Sequence, residues 1–157
     1  MKSETVAVNR VSVFLDTSAL FAAVYSGTGG AREILRLGEM GAIKLWVGPH
    51  VLKEAENVVE RKSPKSKAYF ALLLDRSRIT ITQDASKESL DRALSVIGYL
   101  PDAQVLAEAI DSGMDYFVSF DRKHLIGNPK AMELPFPMGT AGDFLGWYRV
   151  HLAVDAD

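Results

Sequence analysis

The sequence predicts a parallel α/β sandwich built as one domain. Short apolar segments rich in β-branched and aromatic residues alternate with longer segments of helical periodicity, as in sheets whose strands are joined by helices. The first apolar segment, "VSVFL", is continuous rather than alternating, which is typical of a strand covered on both faces. The chain has 157 residues, the usual size of one domain, and no linker or repeat divides it.

The first third of the chain predicts two strands and two helices. Residues 11–15 form the first strand, and a short helix follows from Ser18. Glycine and serine mark residues 26–30, "SGTGG", as a loop. Residues 30–40 place their apolar side chains on one side of a helix. The apolar segment 42–48, "AIKLWVG", is the second strand.

The middle of the chain predicts two helices and a third strand. Residues 49–62 are helical, with Pro49 in the first turn, where proline is tolerated. Residues 63–77 begin with a Ser-Pro pair and continue as a helix. Residues 78–82, "RITIT", alternate as a strand does.

The last part of the chain predicts a fourth strand between helices. Residues 86–100 are helical, and residues 101–113 form a second helix that stops at a glycine. Residues 116–120, "YFVSF", are a strand that again ends on an aspartate. Residues 126–139 are irregular, with a short edge strand around Met132. A closing helix covers 141–154.

Composition excludes several classes of site. The chain has no cysteine, so disulfides and thiolate zinc sites are excluded, and a reducing cytoplasm is the expected location. Only three histidines are present, which argues against a histidine-rich metal site. The N-terminus lacks a signal-peptide apolar core, and no run reaches transmembrane length. The net charge of −2 means that a nucleic acid would have to meet a local basic patch.

Two aspartates come directly after predicted strands. Asp16 follows the first strand and Asp121 the fourth. Because the carboxyl ends of parallel strands meet at one edge, both carboxylates are expected there, where α/β sheets bind ligands. Each aspartate taken alone fits a helix cap or turn equally well.

Two helices offer further acids. Asp102 begins a helix, where the dipole favours an acid, yet it lies on the same face as Leu106. Glu54 and Glu56 flank the apolar stripe of residues 49–62 on opposite sides, so periodicity does not choose between them. Carboxylates gathered at one edge repel unless a cation neutralises them. Without cysteine, Mg²⁺ or Mn²⁺ is the natural cation, and such a site suits phosphodiester hydrolysis.

The order of four segments resembles the PIN-domain family. These segments are "VFLDTSAL", "VLKEAENVV", "PDAQVLAEAIDSGMDYFVSFDRKHL" and "TAGDFL", and they cover residues 11–146. The resemblance implies a three-layer α/β/α sandwich with a mostly parallel sheet of four or five strands. It also implies a metal-dependent ribonuclease that uses a metal-activated water. Many small members are toxins of toxin–antitoxin pairs and others process RNA, so the resemblance leaves both roles open and implies a homodimer.

The resemblance assigns residues one by one. It matches Glu54 rather than Glu56 to the family's helix glutamate. Phe120 departs from the family, which often has a small residue before the last aspartate. The implied ligands of Mg²⁺ or Mn²⁺, which are also the catalytic residues, are Asp16, Glu54, Asp102 and Asp121. The implied supporting hydroxyls are Ser18 and Ser119. The basic candidates for RNA contact are Arg122 and Lys123, then His124, and on another segment Arg61, Lys62, Lys65 and Lys67.

Three other functions compete with this hypothesis. A catalytically inactive PIN-like module would bind RNA or protein, although all four acids are present. A haloacid-dehalogenase-like phosphotransferase would use Asp16 as nucleophile, but Ser18 stands where that class has its second aspartate. A receiver domain would need an acidic pair before the first helix and a late lysine, and neither is evident.

Overall fold

The strands form one parallel sheet in the computed structural model, which describes residues 10–156. The strands are β1 Ser12–Leu15, β2 Lys44–Val47, β3 Thr80–Ile81, β4 Tyr116–Val118 and β5 Met138–Gly139. Every pair of neighbours is parallel. Residues 1–9, which make up most of the N-terminal segment that lacks a signal-peptide apolar core, lie outside the described residues.

Seven α-helices surround this sheet within residues 10–156, which completes the predicted α/β/α sandwich. They are α1 Thr17–Tyr25, α2 Gly30–Glu39, α3 Pro49–Lys62, α4 Lys67–Arg76, α5 Lys87–Val96, α6 Leu100–Ser112 and α7 Ala141–Ala156. Short 3₁₀ helices cover Pro64–Ser66 and Pro129–Glu133. No helix in the part of the chain described is both long and apolar enough to cross a membrane.

Two local expectations differ from the structure. The helix predicted over 86–100 ends at Val96, and Ile97 takes an extended conformation, with φ −132° and ψ 117°. The edge strand expected around Met132 is displaced: Met132 lies in the 3₁₀ helix and β5 follows at Met138–Gly139. Asn128 explains the 3₁₀ turn, because its side chain accepts a hydrogen bond from the Lys130 N–H at 3.0 Å.

The strand order places a topological switch beside β1. The order is β3-β2-β1-β4-β5, so the chain moves outward from β1 to β3 and then returns to the other side of β1. Right-handed crossovers in opposite directions put their helices on opposite faces of a sheet. The gap between the carboxyl ends of β1 and β4 is therefore where this architecture binds ligands.

Apolar side chains from neighbouring strands hold this point of the sheet rigid. Phe14 of β1 stacks on Phe117 of β4 with ring centroids 5.3 Å apart, and both side chains are fully buried. On the other face of β4, Tyr116 packs edge-on against Phe144 of α7 at 5.2 Å. The strand ends that carry the polar residues thus rest on a close-packed core.

The segment "TAGD" starts α7 by a reciprocal pair of hydrogen bonds. The Thr140 N–H donates to Asp143 Oδ2 at 2.9 Å, and the Asp143 N–H donates to Thr140 Oγ1 at 3.2 Å. This is a capping box, which satisfies N–H groups that the helix leaves free. These bonds, led by the backbone one, lower the pKa of Asp143. The segment therefore has a structural role at the start of the closing helix.

Candidate functional site

A cavity of about 330 Å³ opens at the carboxyl ends of β1 and β4. Elements distant in sequence form its wall: the starts of α1, α3 and α6 and the loop after β4. Its polar lining consists of Asp16, Thr17, Ser18, His50, Glu54, Asp102 and Asp121. The structure thus brings the four acids suggested by the sequence to one cavity.

Asp16 is the most enclosed of these acids. It is 7% exposed, and its Oδ1 accepts hydrogen bonds from Ser18 Oγ at 2.7 Å and from the Ala19 N–H at 2.9 Å. Asp16 is therefore the N-cap of α1 and also lines the cavity. Burial raises the pKa of its carboxyl, and the nearby Asp121 charge adds to this, while bonds to Ser119, Ala19 and Ser18 act in the opposite direction.

Two serine hydroxyls tie the ends of β1 and β4 together around Asp16. Ser18 Oγ donates to Asp16 and accepts a hydrogen bond from the Phe120 N–H at 3.0 Å. Ser119 is fully buried, hydrogen-bonds to the Asp16 side chain and accepts from the Asp121 N–H at 2.9 Å. Each serine thus contacts the carboxylate after one strand and the backbone after the other.

The loop after β4 fixes Asp121. Its Oδ1 accepts from the Lys123 N–H at 3.1 Å and from the His124 N–H at 2.9 Å. Its Oδ2 lies 3.2 Å from His124 Nδ1. Oδ1 is therefore hydrogen-bonded to the turn, whereas Oδ2 contacts the imidazole of His124, and the residue lines the cavity.

The helix acids approach from the opposite wall. Asp102 is half-buried and Glu54 is exposed. Burial, followed by the charge of Asp121, raises the pKa of Asp102; the charge of Glu54 contributes further, whereas His124 lowers it. Glu54 lines the cavity, and Glu56 does not. The fold therefore separates the two glutamates that helical periodicity left equivalent.

This set of groups fits a divalent cation. In residues 10–156, ligand atoms of Asp102, Asp121 and His124 lie within 4.8 Å of one another. The charge of Asp121 raises the pKa of Asp102, and a cation bound between the two carboxylates would neutralise that repulsion. The sequence places His124 among the candidates for RNA contact, whereas in the fold its ring lies beside the two carboxylates. The two carboxylates are ligands that suit Mg²⁺ and Mn²⁺.

The expected RNA-contacting cations stand outside the cavity. Arg122 and Lys123 are exposed on the loop that follows β4, next to Asp121. The more distant cations of α3, its 3₁₀ extension and α4 are also exposed, and none lines the cavity: Arg61, Lys62, Lys65 and Lys67. Phe120, the departure from the family pattern, is 41% exposed beside the site.

Sequence reasoning missed a histidine–glutamate pair at the edge of this cavity. His50 lines it, and His50 Nδ1 contacts Oε2 of Glu108, whose side chain is fully buried. Burial raises the pKa of Glu108, the bonds and charge of His50 counteract this, and the charge of Asp84 adds to it. The available signal was an acid inside the apolar helix segment "VLAEAI", because a buried acid needs a partner.

Comparison with protein families gives one match over most of the chain. The family model described as "PIN domain" matches residues 13–126. No curated protein sequence matches the chain. The matched range contains the strand-end aspartates and both helices that carry acids into the cavity.

Solved structures share the fold at low sequence identity. VapC20 of Mycobacterium tuberculosis, a toxin described as cleaving the sarcin–ricin loop, is 18% identical, with a TM-score of 0.52 over 71% of this chain and 92% of that chain. VapBC2 of Rickettsia felis, solved with a fragment of its promoter DNA, is 16% identical. Its TM-score is 0.58, and the match covers 82% of this chain and 98% of that chain. PAE2754 of Pyrobaculum aerophilum is 20% identical. Its TM-score is 0.50, and the match covers 77% of this chain and 87% of that chain.

Proposed function

The chain belongs to the PIN-domain family, and from this membership and the acidic cavity we propose that it is a divalent-metal-dependent endoribonuclease. The observation that carries the proposal is the grouping of Asp16, Glu54, Asp102 and Asp121 around one cavity at the topological switch. Catalytic sites of parallel α/β folds lie at this position. The metal-ligand role of each of these acids is part of the proposal.

The chain's own residues would organise hydrolysis of an RNA phosphodiester. Asp16, Glu54, Asp102 and Asp121 would hold Mg²⁺ or Mn²⁺. The cation would lower the pKa of a water and stabilise charge on the phosphate. Since Ser18 and Ser119 hydrogen-bond to Asp16, they would keep its carboxylate oriented.

The exposed cations beside the cavity would position the RNA. Arg122 and Lys123 follow Asp121 on the same loop, so their charges lie close to a phosphate chain that enters the cavity. Contacts to phosphates set affinity and register without reading bases. Single-stranded RNA fits best, because bases in loops are accessible to an open cleft.

The decisive experiment is cleavage of a labelled single-stranded RNA with and without Mg²⁺ or Mn²⁺. We expect EDTA to abolish cleavage by the unaltered protein. Asp16→Asn and Asp121→Asn should each lower the rate by about two to three orders of magnitude, since the metal supplies several kcal/mol of transition-state stabilisation. Asp75→Asn changes an exposed acid of α4 and is the matched control. Full activity of either site variant would overturn the proposal, whereas RNA binding without any cleavage would favour the inactive binding module.

We further propose a toxin role with an antitoxin protein as partner, acting in the cytoplasm as a homodimer. The support is the shared fold with VapC20 and with VapBC2. Induced expression in bacteria should arrest growth, and Asp121→Asn should not. Light scattering of the purified chain should give twice the monomer mass of 17.2 kDa. Normal growth with active enzyme would instead favour an RNA-processing role.

A further inference from the structure

The His50–Glu108 pair is a second charged arrangement at the cavity, and the four acids do not account for it. Among residues 10–156, His50 is the one basic side chain that lines the cavity. Its side chain is 44% exposed, whereas that of Glu108 is 0% exposed. The pair therefore reaches from the protein interior to the cavity wall.

The fold makes room for the Glu108 carboxylate. A Cβ at position 48 would lie 1.9 Å from Glu108 Oε1 and 2.7 Å from Cδ, so any side chain at position 48 would displace the Glu108 carboxylate. Gly48 is the N-cap of α3 and has no side chain to cap it. Glu108 takes over that function from another helix, because the His50 N–H donates to its two oxygens at 3.3 and 3.4 Å.

Capping alone does not explain the side-chain contact of His50. A serine or aspartate at position 48 would satisfy the same N–H without burying a carboxylate. A fully buried carboxylate is costly unless it is hydrogen-bonded. The His50 ring supplies a hydrogen-bond partner through Nδ1.

The orientation of the ring leaves its other nitrogen for a ligand. Because Nδ1 faces the buried carboxylate, Nε2 lies on the side of the ring away from that carboxylate, and the side chain as a whole is 44% exposed. A histidine ring that carries a hydrogen on each nitrogen can donate to Glu108 through Nδ1 and to an acceptor in the cavity through Nε2 at the same time. The rest of the charged lining is acidic, Glu54 and Asp102 among it, so no other basic side chain of the described lining can donate to a phosphate there.

We propose that His50 donates from Nε2 to a phosphate oxygen of the bound RNA and that Glu108 is the positioning residue that orients and charge-balances it. This inference rests on the proposed function, since it names a contact of the same substrate. The inference gives the basic residues near the site two different positions on the RNA. Arg122 and Lys123 would contact phosphates outside the cavity, and His50 the phosphate within it.

The test is binding of a fluorescent single-stranded RNA oligonucleotide in Ca²⁺, a cation that carboxylates bind, measured by anisotropy over a range of salt concentrations, with a gel to establish that the oligonucleotide stays intact. Loss of a charge-assisted bond to phosphate predicts that His50→Gln weakens affinity by about tenfold. The slope of log affinity against log salt should fall by about 0.7, the value for one phosphate contact on a single strand. His50→Arg should restore the slope. His151→Gln, on α7 away from the cavity lining, should leave affinity and slope unchanged.

Glu108→Gln tests the positioning role, because glutamine retains an oxygen to cap α3 but lacks the charge. It should reduce affinity and slope in the same direction as His50→Gln, and the double variant should be no weaker than the weaker single one. Melting curves establish that each variant is folded, and His50→Gln carries the test alone if Glu108→Gln does not fold. A salt slope of His50→Gln equal to that of the unaltered protein overturns this inference. Failure of the unaltered protein to cleave RNA in Mg²⁺ or Mn²⁺ would instead overturn the proposed function.

Discussion

Asp16 combines a structural role with its place in the cavity. Its carboxylate caps α1 and contacts both serine hydroxyls, while its burial and the Asp121 charge disfavour the ionised form. A group with this environment weakens the metal-free fold and is suited to a cation. Such a conflict between stability and function is common at sites that bind charged ligands.

We predict that Asp16→Asn stabilises the metal-free protein at neutral pH. The raised pKa of Asp16 means that its contribution to stability is present below the unfolded value of 3.8 and is lost as the pH rises through the folded value. Asparagine retains an oxygen for the Ser18 and Ala19 bonds, caps helices well and has no charge to bury. Urea unfolding in EDTA at pH 7 should give a higher midpoint for the variant.

The control for this prediction is Asp75→Asn, at an exposed position of α4, which should leave the midpoint within error. A lower midpoint for Asp16→Asn in EDTA would contradict the account of Asp16. Because the same variant should be inactive, stability and activity are expected to change in opposite directions.

At the scale of elements, Asp111 joins the helices that lead into β4. Its carboxylate accepts hydrogen bonds from the Ser86 N–H, from Ser86 Oγ at 3.1 Å and from Ser89 Oγ. Ser86 is also the N-cap of α5. Asp111 of α6 therefore holds the start of α5, which contributes to the rigid placement of the helix that also carries Asp102.

We predict that Asp111→Asn lowers the free energy of unfolding by about 1 kcal/mol at pH 7, the typical value of a hydrogen bond. The hydrogen bonds from Ser89 and Ser86 lower the pKa of Asp111 in the folded protein. The contribution of Asp111 to the free energy of unfolding is therefore present above the unfolded-state pKa of 3.8 and is lost as the pH falls through the folded-state pKa. Denaturant titrations should show a constant difference from pH 7 to pH 5 and a smaller one below about pH 4. An unchanged difference at low pH, or an equal loss in Asp91→Asn on exposed α5 surface, would argue against this role.

Two helical glycines test how closely the elements pack. A Cβ on Gly38 of α2 would lie 2.4 Å from Leu45 Cδ1 and 2.8 Å from the Ser77 carbonyl oxygen. We predict that Gly38→Ala is destabilising, since overpacking typically costs about 1–3 kcal/mol and alanine returns only about 1 kcal/mol of helix propensity. Thermal unfolding measures the change.

The matched variant is Gly146→Ala in α7, where a Cβ would meet no atom within 4 Å. It should raise stability by about 0.5–1 kcal/mol through helix propensity alone. Equal effects at the two positions would show that α2 does not pack on β2 as closely as described.

At the scale of the whole molecule, strand order decides which acids meet. Asp16 and Asp121 are far apart in the chain but follow neighbouring strands, because β4 lies next to β1. The starts of α3 and α6 then bring Glu54 and Asp102 to the same cavity. Repulsion among these carboxylates is a property of the assembled molecule, so a bound cation should stabilise the whole fold.

We predict that Mn²⁺ raises the melting temperature of the unaltered protein. At a hundred times the dissociation constant, ligand binding adds about 2.7 kcal/mol, or about 5–10 °C for a domain of this size. Asp121→Asn and Asp102→Asn should show little or no shift, and Asp75→Asn should show the full one. An equal shift in all four proteins would place the cation elsewhere.

Much of the fold follows from local pattern. Residues 49–62 are predicted as a helix with the boundaries that α3 has, because their apolar residues recur with helical period and Pro49 is tolerated in a first turn. The segment around Met132 was assigned wrongly to a strand, since edge strands as short as β5 have too few residues for a periodic pattern. The site acids at strand ends were predictable because parallel strands share an edge.

Local sequence is enough to predict the alternation of strands and helices and the aspartates that end two strands, and the family resemblance selects Glu54 over Glu56. The positions of His124 beside Asp102 and Asp121 and of Glu108 beside His50 emerge only in the folded chain. The physical reason is that periodicity records which face of an element is buried, whereas contacts between distant elements depend on strand order and helix placement. Those depend on the packing of the whole chain, which no single segment contains.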